Sequence, residues 1–158
     1  MSAEHTWPQS LFDGTLDEQL ETPTDSYKKA DLHALFPSQS AANSEVRVNY
    51  PYGEVSEENI IRSSCKHSKR GASEDDIDHV VFEPSQSHKG NVARAMFYFS
   101  ARYNMKIEKT EEDILRLWHE QDPVDAEEIE RMEGIFYFQL TRNPFIDHPE
   151  IVDYISNF

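Results

Sequence analysis

An acidic side chain and an imidazole stand next to each other near the start of the chain, at Glu4 and His5. An imidazole titrates near neutral pH, so a histidine held beside a carboxylate is suited to take a proton from water as a general base. The alternative is a frayed polar terminus that happens to contain both residues, because chain ends are often disordered. Taken alone, the pair does not decide between a reactive centre and a solvent-exposed tail.

Several kinds of reactive site are excluded by features that the sequence lacks. The five glycines are scattered singly, so there is no glycine-rich phosphate loop, and no Gly-x-Ser-x-Gly segment marks a serine nucleophile. The single cysteine, Cys65, excludes an internal disulfide framework. The run Cys65-Lys66-His67 supplies too few ligands for a zinc site. Nucleotide-dependent chemistry is therefore not expected.

The length and composition are those of one folded domain spanning 1–158. Apolar residues make up 37% of the 158 residues and aromatic residues 11%, which is enough core material for a folded chain. No apolar run approaches the ~20 residues of a membrane span, and the first residues lack the basic and then apolar pattern of a signal peptide. We therefore expect no association with a membrane.

The formal net charge of −15 is unevenly distributed along the sequence. Segments 62–71 and 88–106 each contain four lysines and arginines and no acidic residue, whereas 108–133 contains eleven acids and three bases. One interpretation is a cationic face that binds an anion, and the other is a set of ordinary solvated faces. The sequence leaves both open.

The second half of the chain has the apolar spacing of amphipathic helices, which would supply the frame for a site. The stripe Val92, Met96, Phe99 and Tyr103 predicts a buried helix that begins near Gly90. A second helix is predicted from a Thr110 cap to Gln121, a third from Asp125 and Glu128 to just before Asn143-Pro144, and a short terminal one from Pro149. Their predicted inward faces are Ile114, Leu117 and Trp118, and then Ile129, Met132, Phe136 and Leu140.

The first half favours loops, short strands and at most one helix, because it is rich in Ser, Asn, Pro and Gly without a sustained helical period. Val80-Val81-Phe82 predicts a short strand that ends at Pro84. The segment 66–78 is predicted to be an exposed charged loop.

Four polar and aromatic stretches follow one another along the chain. They are Glu4-His5-Thr6-Trp7-Pro8-Gln9-Ser10, Asp31-Leu32-His33-Ala34-Leu35-Phe36-Pro37-Ser38 with Asn43 beyond it, Phe82-Glu83-Pro84 continuing through the run from Lys89 to Tyr98, and the run from Arg142 to Glu150. In this order they resemble the endonuclease I family of bacterial nucleases, which belongs to the His-Me finger (ββα-metal) superfamily. The resemblance extends from residue 4 to about residue 150. It implies an α+β, helix-rich domain around a small core in which two short strands and a helix hold one metal ion.

The resemblance further implies sequence-non-specific, metal-dependent cleavage of phosphodiester bonds in DNA, and often in RNA. It assigns the general base to His5 and the metal ligands to Glu4 and Asn43. A carboxylate and a neutral amide oxygen suit one Mg²⁺ ion that keeps most of its waters, with Ca²⁺ or Mn²⁺ as alternatives. Successive residues of a strand point to opposite faces, so Glu4 and His5 can share a site only at a strand end or bend.

Other polar residues are candidates for phosphate binding or for support of the site. Arg47 and Arg94 are candidates for the scissile phosphate, because a guanidinium matches its geometry. The alternative for Arg94 is a buried salt bridge to a carboxylate such as Glu83. Asp31 is predicted to orient or cap, and His33 to be structural beneath the site. The basic residues expected to contact nucleic-acid phosphates are Lys66, Lys69, Arg70 and Lys89.

The chain departs from the family pattern in two places. Only three residues precede Glu4, so the N-terminal part of the family domain is expected to be missing. After Asn43, the run from Ser44 to Asn49 is one residue longer than the family's spacing, which leaves open whether Arg47 occupies the family's arginine position. Family members are typically exported, which implies a secreted or periplasmic protein although no signal peptide is present here. We expect a monomer whose partners are DNA and RNA. The competing hypothesis is a catalytically silent fragment or paralogue that acts as an interaction module.

Overall fold

The computed structural model describes residues 1–12, 23–56, 60–62 and 67–158. Short strands occupy mainly the first half of this part, and longer helices occupy the second half. The strands are β1 (Ser2–His5), β2 (Leu35–Ser38), β3 (Ile61–Arg62), β4 (Lys69–Ala72) and β5 (Val80–Glu83). The helices are α1 (Pro23–Ala30), a π-helix (Ala42–Arg47), α2 (Lys89–Tyr103), α3 (Lys109–Gln121), α4 (Ala126–Gln139) and α5 (Pro144–Asp147). Short 3-10 turns cover Gln9–Leu11, Leu32–Ala34, Gln86–His88 and Pro149–Tyr154.

The strands form two small antiparallel sheets. β1 pairs with β2 so that Glu4 lies opposite Phe36 and His5 opposite Leu35. The second sheet has the order β3-β4-β5. The π-helix is the next element along the chain after β2. The predicted α+β class is confirmed.

Helix α2 is the centre of the core. Val92, Met96 and Phe99 of its predicted stripe are buried, whereas Tyr103 is half-buried, and Phe97 beside the stripe is also buried. Trp118 of α3 is completely buried in the same cluster. Because α2 packs against α3 and against the 3-10 turn Leu32–Ala34 that leads into β2, the helical core supports the sheet that carries Glu4 and His5.

The predicted inward face of α4 is wrong. Met132 is buried as predicted, but Ile129 and Phe136 are exposed, and Leu140, just after the helix, is 75% exposed. Glu128 is buried instead, because its carboxylate pairs with Arg94 of α2 and turns that side of α4 inward. The start of the helix is as predicted, since the Asp125 carboxylate accepts a hydrogen bond from the Glu128 amide at 2.8 Å.

Smaller differences occur at element boundaries. Helix α3 starts at Lys109, so Thr110 lies inside the helix and does not cap it. Leu115 rather than Leu117 is the buried leucine of α3. Strand β5 matches its prediction, but β4 occupies part of the segment predicted to be a loop, because it pairs along β5. Within the described residues, no helix is long and apolar enough to cross a membrane.

Candidate active site

Glu4 and His5 are the last two residues of β1. The Thr6 amide continues the pairing with β2 by donating to the Ala34 carbonyl oxygen at 3.0 Å, and the chain then leaves the sheet in a 3-10 turn that begins at Gln9. At this strand end both residues line one surface depression of about 240 Å³, together with Asn43. The expectation that the pair can share a site only at a strand end or bend agrees with this geometry.

The imidazole of His5 is oriented by a backbone carbonyl. Its Nε2 lies 3.0 Å from the carbonyl oxygen of Lys29, at the end of α1. A carbonyl oxygen only accepts hydrogen bonds, so this contact requires the proton on Nε2 and leaves a lone pair on Nδ1. The side-chain amide nitrogen of Gln9 lies 3.0 Å from Nδ1 and 3.1 Å from Nε2. Nδ1 is therefore the basic nitrogen of His5.

The carboxylate of Glu4 is half-buried and only partly satisfied. Its Oε1 lies 3.6 Å from Nε of Arg47, which is an ionic contact too long for a good hydrogen bond. Its Oε2 is buried and has no hydrogen-bond partner among the described residues. Burial raises the pKa of the Glu4 carboxyl above its usual value, and the charge of Arg47 opposes that rise. An unsatisfied buried carboxylate oxygen is costly, which is typical of a position prepared for a ligand.

Asn43 lies in the first turn of the π-helix and points at β1. Its amide nitrogen donates to the Ala3 carbonyl oxygen at 3.2 Å, and nothing among the described residues donates to its amide oxygen. The Val48 amide donates to the Asn43 carbonyl, five residues back. A π-helical turn holds one residue more than an α-helical turn. From this helix Asn43 contacts Ala3 of β1, and Arg47 lies beside Glu4 of the same strand.

Arg47 is buried beside Glu4 rather than beside His5. Its side chain is 3% exposed, its Nη2 donates to the Thr6 carbonyl oxygen at 3.3 Å, and its guanidinium carbon lies 4.3 Å from the centre of the Tyr52 ring. Arg47 does not line the depression that holds His5. Its nearest charged partner is the Glu4 carboxylate.

The donor set available to a metal ion is small. Among the described residues, no group of three or more His, Cys, Asp and Glu side chains is placed to hold one. Glu4 and Asn43 both line the depression, and their side chains carry a carboxylate and an amide oxygen, which are hard oxygen donors. Mg²⁺ usually keeps several waters and needs only one or two protein carboxylates, so this sparse set fits it.

Two basic residues predicted to contact phosphates are buried in ion pairs. Arg94 is completely buried, with Nη2 2.6 Å from the Glu128 carboxylate, so the alternative of a salt bridge is correct, although the partner is not Glu83. Lys89 is also buried, with Nζ 2.6 Å from Glu54 and 3.1 Å from Glu83. Neither side chain can reach a phosphate on the surface in this conformation, and both predictions are corrected accordingly.

The remaining basic candidates differ in their surroundings. Lys69 is half-buried and pairs with Glu83 at 3.0 Å. Arg70 lies with its guanidinium carbon 4.9 Å from the centre of the Tyr50 ring and is partly exposed. Lys66 lies outside the described residues. Arg70 is therefore a partly exposed cation, and its contact with nucleic-acid phosphates stays a prediction.

Asp31 and His33 support the site from within the core. The Asp31 carboxylate caps the turn by accepting from the His33 amide at 3.1 Å, and it also accepts from the Tyr103 hydroxyl at 2.8 Å. His33 donates from Nε2 to the Thr141 carbonyl oxygen at 3.0 Å. Burial lowers the pKa of His33, so its ring is neutral at physiological pH. Their geometry agrees with the structural roles predicted for both.

Two contributors to the site were not singled out from the sequence. Gln9 lies in the first polar stretch, and its position 4 residues after His5 was a usable signal. The Lys29 carbonyl leaves no signal, since every residue carries a carbonyl and only the fold decides which one meets His5.

Comparison with known proteins gives consistent matches. The family model described as Endonuclease I matches residues 1–150. An extracellular ribonuclease of Bacillus subtilis (strain 168) is 32% identical over 170 aligned positions, covering 96% of this chain and 52% of the relative. An extracellular deoxyribonuclease of Aeromonas hydrophila is 27% identical and covers 75% of this chain and 49% of the relative.

An endonuclease-1 of Buchnera aphidicola subsp. Acyrthosiphon pisum (strain APS) is 28% identical over 75% of this chain and 44% of its own length. The chain thus spans about half the length of these curated relatives. The family model covers nearly all of the sequence, including Glu4, His5 and Asn43. On this evidence the chain belongs to the endonuclease I family.

Proposed function

We propose that this chain carries the active site of a metal-dependent, sequence-non-specific endonuclease that hydrolyses phosphodiester bonds. His5 is the general base, and Glu4 and Asn43 hold one divalent ion, Mg²⁺ in the first instance. The observation that carries the proposal is one depression lined by all three residues; in addition, His5 has its lone pair on Nδ1 and Oε2 of Glu4 has no partner among the described residues.

His5 accepts a proton at Nδ1 from the attacking water. The imidazolium that forms keeps its Nε2 proton in the hydrogen bond to the Lys29 carbonyl, so the ring does not need to move during proton transfer. Gln9, whose amide lies 3.0 Å from Nδ1, must swing away or share that nitrogen with the water. The side chain of Gln9 is exposed, which makes this movement inexpensive.

Glu4 and Asn43 bind the cation through one anionic and one neutral oxygen. When bound, the cation neutralises the charge that develops on the phosphate and on the departing oxygen. Arg47 favours the ionised form of Glu4, which is the form that binds a cation. Asn43 is held in place by its hydrogen bond to Ala3 and by the π-helix.

The proposed substrates are DNA and RNA. Relatives of this chain include an extracellular ribonuclease and an extracellular deoxyribonuclease, which supports both. Relatives are also named as extracellular or periplasmic, and we propose export for this protein as well. We propose that it acts as a monomer.

A plasmid-nicking assay tests the function. We expect nicking with Mg²⁺ that a chelator abolishes, and we expect His5→Ala to lower the rate by about a hundredfold or more. His148→Ala is the matched control, because His148 is an exposed histidine whose imidazole faces Glu150 rather than the depression. A chain that leaves the plasmid intact under all conditions would support the silent interaction module instead.

A further inference from the structure

We propose that a second pocket, which shares Glu4 with the depression but not His5, binds one unpaired nucleobase of the strand that is cut. This inference rests on the proposed function and adds the substrate class. The pocket has a volume of about 230 Å³, and both Glu4 and Arg47 line it. Because Glu4 lines both cavities, we expect a base in the pocket to lie near a phosphodiester at His5.

The walls of the pocket suit a flat ring. Phe36, Tyr52, Phe82, Pro84 and Val92 line it and are largely buried. Aromatic and apolar surfaces of this kind bind bases through their faces, without regard to sequence. The volume admits a single base with part of its sugar and excludes a base pair.

The polar wall contains hydrogen-bond donors of Arg47 that have no acceptor. Nε and Nη1 of Arg47 are buried and have no hydrogen-bond partner among the described residues, while Nη2 donates to Thr6. The Tyr52 ring beneath the guanidinium fixes its plane. Buried donors without an acceptor are destabilising, so a ligand with carbonyl or ring-nitrogen acceptors would satisfy groups that the folded chain leaves unpaired.

The charge of the pocket favours a neutral acceptor over a phosphate. The Glu4 carboxylate lies 3.6 Å from Arg47 Nε and offsets its charge. His88 also lines the pocket, and burial lowers its pKa to about 4, so its ring carries no charge at physiological pH. A phosphate would meet a nearly neutral surface with a carboxylate in it. The base carbonyls of thymine, uracil, cytosine and guanine carry acceptors without a charge.

A base can enter such a pocket only when it is unpaired. Recognition of nucleic acid by stacked, splayed-out bases is typical of single strands, and pairing hides both edge and face. We therefore expect the chain to bind and cut single-stranded DNA or RNA in preference to a duplex of the same sequence.

The test measures binding without cleavage. In chelator and low salt, the anisotropy of a labelled single-stranded hexathymidylate is compared with that of a six-unit strand of abasic sugar-phosphate. We expect the abasic strand to bind about five- to a hundredfold more weakly. Equal affinity of the two strands, or no binding of the hexathymidylate, would overturn the pocket.

Two variants locate the effect. Ser85→Trp places a large ring in the pocket and is expected to reduce hexathymidylate binding to the level of the abasic strand. Ser87→Trp lies two residues on in the same region, is exposed, and does not line this pocket, so its binding should equal that of the unmodified chain. Equal losses in both variants would place the base elsewhere. The comparison of strands on the unmodified chain needs neither variant to fold.

The pocket and the nuclease can fail separately. Mg²⁺-dependent nicking together with equal binding of the two strands would contradict the base pocket and support the endonuclease. Base-dependent binding without any nicking would support the base pocket and contradict the hydrolytic mechanism.

Discussion

The backbone carbonyl of Lys29 lies 3.0 Å from Nε2 of His5, and this contact across 24 positions selects the tautomer of the proposed base. Helix α1 ends one residue later, at Ala30, and the Asp31 cap and the turn into β2 follow. The end of α1 therefore holds the imidazole, while the pairing of β1 with β2 holds the His5 backbone. Orientation of a catalytic histidine usually comes from a side-chain carboxylate or a backbone carbonyl. Here it comes from the backbone.

The tautomer of His5 can be observed directly. We expect long-range ¹⁵N–¹H spectra of the uniformly labelled chain at neutral pH to show a protonated Nε2 and a bare Nδ1 on this residue. Gln9→Ala removes the donor at Nδ1 but leaves the Lys29 carbonyl, so the tautomer should be unchanged. A spectrum with the proton on Nδ1 would contradict the assignment of the basic nitrogen.

Glu4→Gln should separate activity from stability. Burial raises the pKa of Glu4, so the folded state binds this proton more tightly than the unfolded state does. The stabilising contribution of the protonated carboxyl is full at low pH and is lost as pH rises through the raised pKa. At pH 7.5 we expect the neutral variant to lose Mg²⁺-dependent nicking while its midpoint of urea unfolding stays equal or rises.

Glu45→Gln is the control for that comparison, because Glu45 is exposed on the π-helix and does not line the depression. It should leave both nicking and unfolding unchanged. A marked fall in the urea midpoint of Glu4→Gln alone would show that Glu4 is a stabilising ion-pair partner of Arg47 rather than a strained ligand.

Arg94→Met tests whether Arg94 is structural. Removing the guanidinium leaves the buried Glu128 carboxylate without its partner, which is expected to cost about 3–5 kcal/mol of unfolding free energy. The double variant Arg94→Met/Glu128→Leu replaces both charges by apolar groups and should recover most of that loss. Urea unfolding measures both.

Nicking by Arg94→Met, measured at a temperature where it is folded, should match the unmodified chain. A large loss of nicking in a folded Arg94→Met protein would instead support a contact between Arg94 and the phosphate.

The pH dependence of stability should carry a contribution from His88. Burial lowers its pKa from 6.5 to about 4, so the unfolded state binds the proton more tightly and acid favours unfolding. The contribution is present above about pH 6.5 and is lost as pH falls to about 4, and it amounts to about 3 kcal/mol. Urea unfolding between pH 4 and pH 7 should therefore be less pH-dependent in His88→Gln than in His148→Gln, whose ring is exposed. Parallel curves for the two variants would contradict a buried neutral His88.

The helix stripe of α2 was predictable because a fully buried helix tolerates apolar residues over most of its surface, so small rotations do not matter. The stripe of α4 was not. Two apolar faces compete on that helix, and the ion pair between Glu128 and Arg94 selects the one that carries Met132. Apolar spacing does not record which charged residue must be turned inward.

The sequence by itself determined the family and the proposed reactive residues. Glu4 and His5 are adjacent in the chain, and Asn43 falls at a fixed distance from the Asp-Leu-His motif, so the residue types and their spacing can be read from the sequence alone.

Only the tertiary structure decided which basic residues lie on the surface and which are buried in ion pairs. Arg94 and Lys89 meet carboxylates 34 and 35 positions away, and a charge becomes a surface contact or a buried pair according to which faces of the fold come together. The same holds for the Lys29 carbonyl that orients His5 and for the π-helix that brings Arg47 to Glu4. Long-range contacts such as these depend on packing, which no local pattern of residues encodes.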